Sequence, residues 1–512
     1  MDNRVAPQAG SSLKAMETSA TSTDPGSSVP ASGQGGALAV ERNGINTIAE
    51  DERHGEPRSL FWPWFAANVS VLGISYGSFV LGFGLSAVQA IVVGVIGTVL
   101  SFVLCGVISL VGKRGSAPTM VLARPAFGVR GSRLPAVVSW LITVGWETAL
   151  TALAVLATTT VFSELGWSAG TPTKLVALVV VAVLIVGSGI IGFSLIMKLQ
   201  VWITIITAAL TIVYAILVAG HIDGAALGKL SSGSVAAMIG ALIFMMTAFG
   251  LSWANMAGDF SRYLPRSVSS AGVVAWTTVG AALAPVLLLI FGILLAGSSG
   301  TLNDKVAADP IGALTTLLPT WFLVPFAVVA VLGLVGGAVL DIYSSGLALL
   351  TAGLPVPRWL AAGIDGTIMI IGSVYIVFFA NDFLGPFQGF LITLGVPIAA
   401  WAGVMIADVA LRRSDYHPAD LQDPRGRYGD INWISIILML LGTAVGWGLV
   451  TNTYAGWLTW QGYLLGPLGG RDGAWAYANL GVLAAMVIGF LGHLILNRPA
   501  VRRQDAPTNP VS

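Results

Sequence analysis

Twelve apolar stretches, each long enough for the roughly 20 residues that cross a ~30 Å hydrocarbon core, run along the chain at about 62–86, 88–111, 135–160, 174–197, 199–220, 235–258, 271–297, 320–352, 359–379, 388–410, 432–451 and 474–496. Inside hydrocarbon every backbone amide and carbonyl must find its partner within the protein, so such stretches fold as helices. The expectation is an all-α polytopic membrane protein with 12 transmembrane helices and the lipid bilayer as its first partner. Its charged fraction of 10%, against roughly 25% for a soluble domain, rules out a soluble globular fold. A short helical hairpin is expected at 309–320, before the eighth stretch.

Loop charge sets the orientation, because basic residues are retained on the cytoplasmic side. With the N-terminus inside, 21 of the 25 Lys and Arg residues fall in inside segments, leaving Lys174, Lys229, Lys305 and Arg471 outside. Both termini are therefore expected in the cytoplasm, with the protein multi-pass in the plasma (inner) membrane. Residues 1–58, rich in Ser, Thr, Gly, Ala and Pro, bury too little apolar surface to order and read as a disordered cytoplasmic tail. They lack a signal-peptide pattern, and 497–512 reads as a second cytoplasmic tail.

Several chemistries are excluded by what the chain lacks. A formal net charge of +1 offers no field for nucleic acid. The single cysteine, Cys105, and four scattered histidines provide neither a disulfide framework nor a metal constellation. No cofactor is expected. A membrane-embedded enzyme would need a nucleophile or metal set, and no G-x-S-x-G elbow is present.

Two stretches break the rules for a lipid-facing helix. The first, NVSVLGISYGSFVLGFG, sets Gly73, Gly77, Gly82 and Gly84 among Asn68, Ser70, Ser75, Tyr76 and Ser78; the sixth, TAFGLSWANMAGDFSRYLP, sets Gly250 and Gly258 among Ser252, Trp253, Asn255 and Asp259. They lie five stretches apart, as in two inverted repeats that each open on an interrupted helix lining a cavity. Glycines at this spacing also serve simple close packing. The resulting division is 59–220 (helices one to five), 221–411 (six to ten) and 412–496 (eleven and twelve). An interrupted repeat argues for a transporter over a passive channel.

Buried acids are the second anomaly. Glu147 lies about twelve residues, or ~18 Å, into the third stretch, and Asp341 at similar depth in the eighth, where an acid costs about 2.5–3.5 kcal/mol unless wet, paired or protonated. Each is a candidate for carrying a proton or holding donor groups of a substrate; Asp365, early in the ninth, is a weaker one. Trp146 beside Glu147 suits a flat hydrogen-bonding heterocycle, with Phe249 and Trp253 as the opposite face. Asp259 and Arg262 can pair as an inner gate or simply fix the sixth helix.

The segments GDFSRYLPRS (258–267), PTMVLARPAFGVRGSRLP (118–135), VGW (144–146) and NDFLGPFQGFLITLGVPIAAWAGVMIAD (381–408) resemble the purine-cytosine permease branch of the nucleobase-cation symporter-1 family over about residues 54–415. The resemblance implies a LeuT-type fold, with ten core helices in two inverted five-helix repeats plus two peripheral helices, and a midplane substrate among helices one, three, six, eight and ten. It places the stacking tryptophan at Trp146, the helix-six aromatic at Phe249 and polar contacts at Ser252. The unwound turn of helix one falls at Gly73–Tyr76, and a gate or substrate contact at Gln388. This chain departs from relatives in having Thr143 where some cytosine carriers have glutamine, and Gly336, Gly337, Ala338 and Val339 where sodium-coupled members place hydroxyl and amide side chains. Sodium needs several hard oxygen ligands, so a proton carried on Glu147 or Asp341 is favoured over sodium. The implied function is import of a nucleobase-like heterocycle, cytosine or purine, by proton symport and alternating access. Allantoin, hydantoin, thiamine or pyridoxine as cargo, and sodium coupling, remain the alternatives within the same fold.

Overall fold

The computed structural model of the protein describes residues 43–380, 383–454 and 456–506, which are helical with no strand among them. The first rod is α1 (Phe61–Asn68) followed by α2 (Leu72–Leu81), with a bend of 67° across the break. Then come α3 (Ala87–Gly115), the one-turn α4 (Arg124–Phe127), α5 (Arg133–Glu164), α6 (Thr171–Ile191), α7 (Phe193–Val218) and the short α8 (Gly224–Leu227). The sixth rod is composite: α9 (Val235–Met246), a π turn at Thr247–Leu251, α10 (Ser252–Ala254) and α11 (Ala257–Ser261). The chain continues with α12 (Ser270–Gly297), the small pair α13 (Gly300–Ala308) and α14 (Gly312–Thr315), α15 (Leu323–Thr351), α16 (Arg358–Phe379) and α17 (Leu384–Leu411). It ends with α18 (Trp433–Gly448), α19 (Leu480–Leu496) and α20 (Arg498–Asp505).

Among the described residues nine helices are long and apolar enough to cross a membrane singly. The other three expected stretches coincide with the bent pair α1–α2 and with α18 and α19, which at 16 and 17 residues are shorter than the nine. The expected hairpin before α15 is present as α13 and α14, starting nine residues earlier than its apolar pattern suggested.

Helix contacts sort into groups. α15 lies along α5, and both touch α6 and α16; α12 packs on α2 and α3; α17, α18 and α19 form a third set. One very close approach is between α2 and α12. A Cβ on Gly77 would sit 2.2 Å from the Gly292 backbone, and one on Gly292 would sit 1.9 Å from the Ile74 carbonyl oxygen. Backbones this close are what small residues on facing helices permit.

The tail reading needs correcting at its inner edge. Residues 1–42 and 507–512 lie outside the described residues, but 43–58 are packed rather than loose. Ile48 is buried and its amide donates to the Ser116 carbonyl at 2.7 Å; the buried Arg53 donates from Nε to the Leu264 carbonyl at 2.8 Å. The low-complexity composition that argued for disorder ends before these residues. Residues 498–505 likewise form α20, with Val501 buried.

Candidate substrate site

Both interrupted rods are real breaks, and each has a local cause. In the sixth rod Phe249 has φ −110° and ψ −114°, outside the helical region. The backbone groups freed there find side chains: the Gly250 amide donates to Ser101 Oγ on α3 at 3.0 Å, and Ser252 Oγ donates to the Thr247 carbonyl at 2.5 Å. Gly250 is required at this point, because a Cβ would meet the Ser101 carbonyl carbon at 2.2 Å. Ser252, expected as a substrate contact, has its hydroxyl hydrogen engaged in holding the break.

In the first rod the break falls at 69–71, where Val69 has ψ 77°, and not at Gly73–Tyr76. Gly73 and Gly77 are inside α2 and face α12, Gly73 against the Leu288 side chain. Their small size is spent on packing, and the unwinding moves to the preceding turn. Ser75 Oγ donates to the Pro310 carbonyl. Tyr76 stays near the centre: its ring lies 4.6 Å from that of Phe249, and its buried hydroxyl has no partner.

The densest set of unsatisfied polar atoms is on α5. Trp146 is buried, its indole N–H has no partner, and its ring meets Phe387 of α17 edge-on at 5.1 Å. Glu147 is wholly buried with neither oxygen hydrogen-bonded, and Thr151 Oγ1, one turn along, is also without a partner. The polar groups that act on Glu147 are Asp365 of α16 and Ser345 and Asp341 of α15. Asp365 is itself well held: Trp140 Nε1 donates to one oxygen at 2.7 Å and Ser345 Oγ to the other at 3.0 Å. Asp341 is buried with Oδ2 unpartnered. Buried polar atoms without a partner cost about 1–3 kcal/mol each, and a concentration of them marks where a ligand or water supplies the missing bonds.

The remaining expected residues scatter. Trp253 packs edge-on against Trp64 of α1 at 5.8 Å, away from its expected role beside Phe249. Gln388 is partly exposed on the first turn of α17, while its neighbour Phe387 is the residue that touches Trp146. Asp259 Oδ1 accepts from the Thr119 amide at 2.6 Å and Thr119 Oγ1 at 2.7 Å, whereas Arg262 donates to the Gly44 carbonyl at 3.0 Å and Tyr343 Oη at 2.8 Å. Each takes a different partner, so the inner-gate idea rests on two separate contacts. Phe387, Thr151, Ser345 and Tyr343 were not singled out by sequence; a single aromatic or hydroxyl in an apolar run carries no periodic or compositional signal.

Comparison with known proteins places this geometry. Residues 47–466 match the family described as permeases for cytosine/purines, uracil, thiamine and allantoin. YxlA of Bacillus subtilis, provisionally named a purine-cytosine permease, is 23% identical over 481 residues, covering 91% of this chain and 98% of the relative. The cytosine permease of Escherichia coli K12 is 28% identical over 390 residues, covering 72% of this chain and 80% of the relative. Among solved structures, Mhp1, a nucleobase-cation-symport-1 transporter in a closed conformation with bromovinylhydantoin bound, superposes with a TM-score of 0.67 at 18% identity, covering 90% of this chain and 95% of that one. That likeness establishes the LeuT-type fold. The chain is a membrane transporter belonging to the purine-cytosine permease branch of the nucleobase-cation symporter-1 family.

Proposed function

We propose that the protein imports a nucleobase-like heterocycle, cytosine or a purine, across the plasma membrane together with a proton. The observation that carries this reading is the fully buried Glu147 carboxyl, unpartnered, beside the unpartnered indole N–H of Trp146. A planar ring stacked on Trp146 offers ring N–H or exocyclic amine donors to a carboxylate. Tyr76 and Phe249 add an aromatic pair where both interrupted rods come together. The family description and the relatives' names support a nucleobase-type cargo, and the hydantoin named for Mhp1 belongs to that protein.

Proton coupling is favoured over sodium on two grounds. Gly336, Gly337, Ala338 and Val339 bring no side-chain oxygen to α15, and the buried Gln200 of α7 donates Nε2 to the Gly336 carbonyl at 2.8 Å, occupying an acceptor a cation would want. Glu147 and Asp341 supply titratable groups instead. In the proposed cycle, proton and ring bind from outside. The bundle of α1–α2, α3, α9–α11 and α12 then rocks against α5, α6, α15 and α16, with both termini in the cytoplasm.

The test is uptake into proteoliposomes. An imposed inward proton gradient should drive accumulation of cytosine or a purine without sodium, and Glu147→Gln should abolish the response to pH. Sodium-dependent uptake indifferent to the proton gradient would reject the coupling. Displacement by allantoin, hydantoin, thiamine or pyridoxine, but by no nucleobase, would reject the cargo.

A further inference from the structure

The 118–135 segment carries part of the family resemblance, and beyond the Thr119 contact with Asp259 it takes no part in the site above. It forms one wall of a cleft of about 830 Å³, whose other walls are residues 43–46 and the α15–α16 turn at 353–359. Four arginines line this cleft, Arg124, Arg130, Arg133 and Arg358, and among the described residues no Asp or Glu does. Only Arg130 is neutralised among the described residues, by Asp430.

The other three lack a carboxylate among the described residues. Arg124, 6% exposed, donates to the Leu421 carbonyl at 2.7 Å and to the Gln422 side-chain oxygen. Arg358, 5% exposed, donates to the Gly189 and Ile190 carbonyls at 2.7 and 2.8 Å. Nε of each is buried with no partner. Arg133 is exposed, lies over Gly353, and makes no hydrogen bond among the described residues. Neutral carbonyls offset part of a buried cation's lost hydration, but full compensation takes an anion. Burial, and then the like charge of Arg133, push Arg124 down to about 10.

We propose that this cleft, between α4, the first turn of α5 and the α15–α16 turn, binds a phosphate group. Three guanidinium forks from three separate elements suit a group with several anionic oxygens better than one carboxylate. Two sources share that chemistry, the headgroup of an anionic phospholipid and a soluble phosphate. The cleft opens where α5 and α16 begin, and Trp359 beside Arg358 is 49% exposed, as an aromatic at the headgroup level is.

The experiment uses the full chain in a neutral detergent. Phosphatidylglycerol and phosphatidylcholine are titrated in parallel and binding is read by native mass spectrometry; thermal stability is compared in inorganic phosphate and in chloride at equal ionic strength. Arg133→Gln should weaken the anionic interaction about five-fold, while Arg425→Gln, an exposed arginine outside the cleft, leaves it unchanged. Preference for phosphatidylglycerol with no phosphate effect assigns the lipid; stabilisation by inorganic phosphate assigns the soluble source. No preference in either arm overturns the proposal, as does an Arg133→Gln protein that binds like the parent. Should that variant not purify, the two wild-type comparisons decide alone.

Discussion

At the scale of single residues, the central fact is polar atoms buried without partners. Trp146 gives the sharpest expectation. Loss of a ring on which a base stacks costs about 1–3 kcal/mol, so Trp146→Ala should weaken cytosine or purine binding by roughly five- to 150-fold, measured by radioligand displacement. Phe387 should survive as a packing residue, and the purified variant should stay monodisperse. Unchanged affinity would remove Trp146 from the site. Glu147 was legible because an acid at mid-depth in an apolar run is costly enough to stand out. Asp365 was legible only in part: its position was visible, but not that Trp140 and Ser345 hold both its oxygens.

At the scale of elements, the two breaks differ in how far the sequence exposed them. Both rods were marked by glycine among polar residues, and both are interrupted. The sixth breaks where expected, at Phe249, since Gly250 must sit against the α3 backbone and Ser101 and Ser252 satisfy the loosened turn. The first breaks one turn early, because Gly73 and Gly77 answer to α12, a partner more than 200 residues away that no local pattern reveals. Gly77→Ala should therefore act on stability: the added methyl would collide with backbone, which cannot yield as a side chain tip can, and overpacking costs about 1–3 kcal/mol. A fall of several degrees in detergent melting temperature checks it, with Gly363→Ala, a helical site with open space around it, as the contrast that should leave the temperature unchanged.

At the scale of the whole molecule, charged groups fasten residues 43–58 and α20 to the bundle. Asp408 on α17 accepts from Arg412 Nη2 at 2.8 Å and Nε at 3.0 Å, and Arg412 reaches Gln504 and Asp505 of α20. All of Asp408 and nearly all of Arg412 are buried. Asp408→Asn leaves a buried cation short of its main counter-charge, a loss of about 3–5 kcal/mol, and should lower thermal stability while loosening α20 to proteolysis. At the other end, Arg266 first and then Arg53 hold Glu50 below its ordinary value of 4.5. Such a group contributes stability above its unfolded pKa and loses it as pH falls through the lower folded value. Proteolysis at 43–58 should thus be flat from pH 5 to 8 and rise only below about pH 4. The apolar stretches that became the long helices were readable in advance, since the bilayer imposes them residue by residue. The fastening of 43–58 was not, because its partners Ser116, Tyr263 and Leu264 belong to distant loops.

The Gly77–Gly292 seam has a mechanical corollary. With no side chain between them to act as a bearing, the two main chains cannot slide past each other without collision. A swing that admits cargo therefore carries α2 and α12 as a welded pair, and the bend at 69–71 is where the first rod can yield without disturbing the weld.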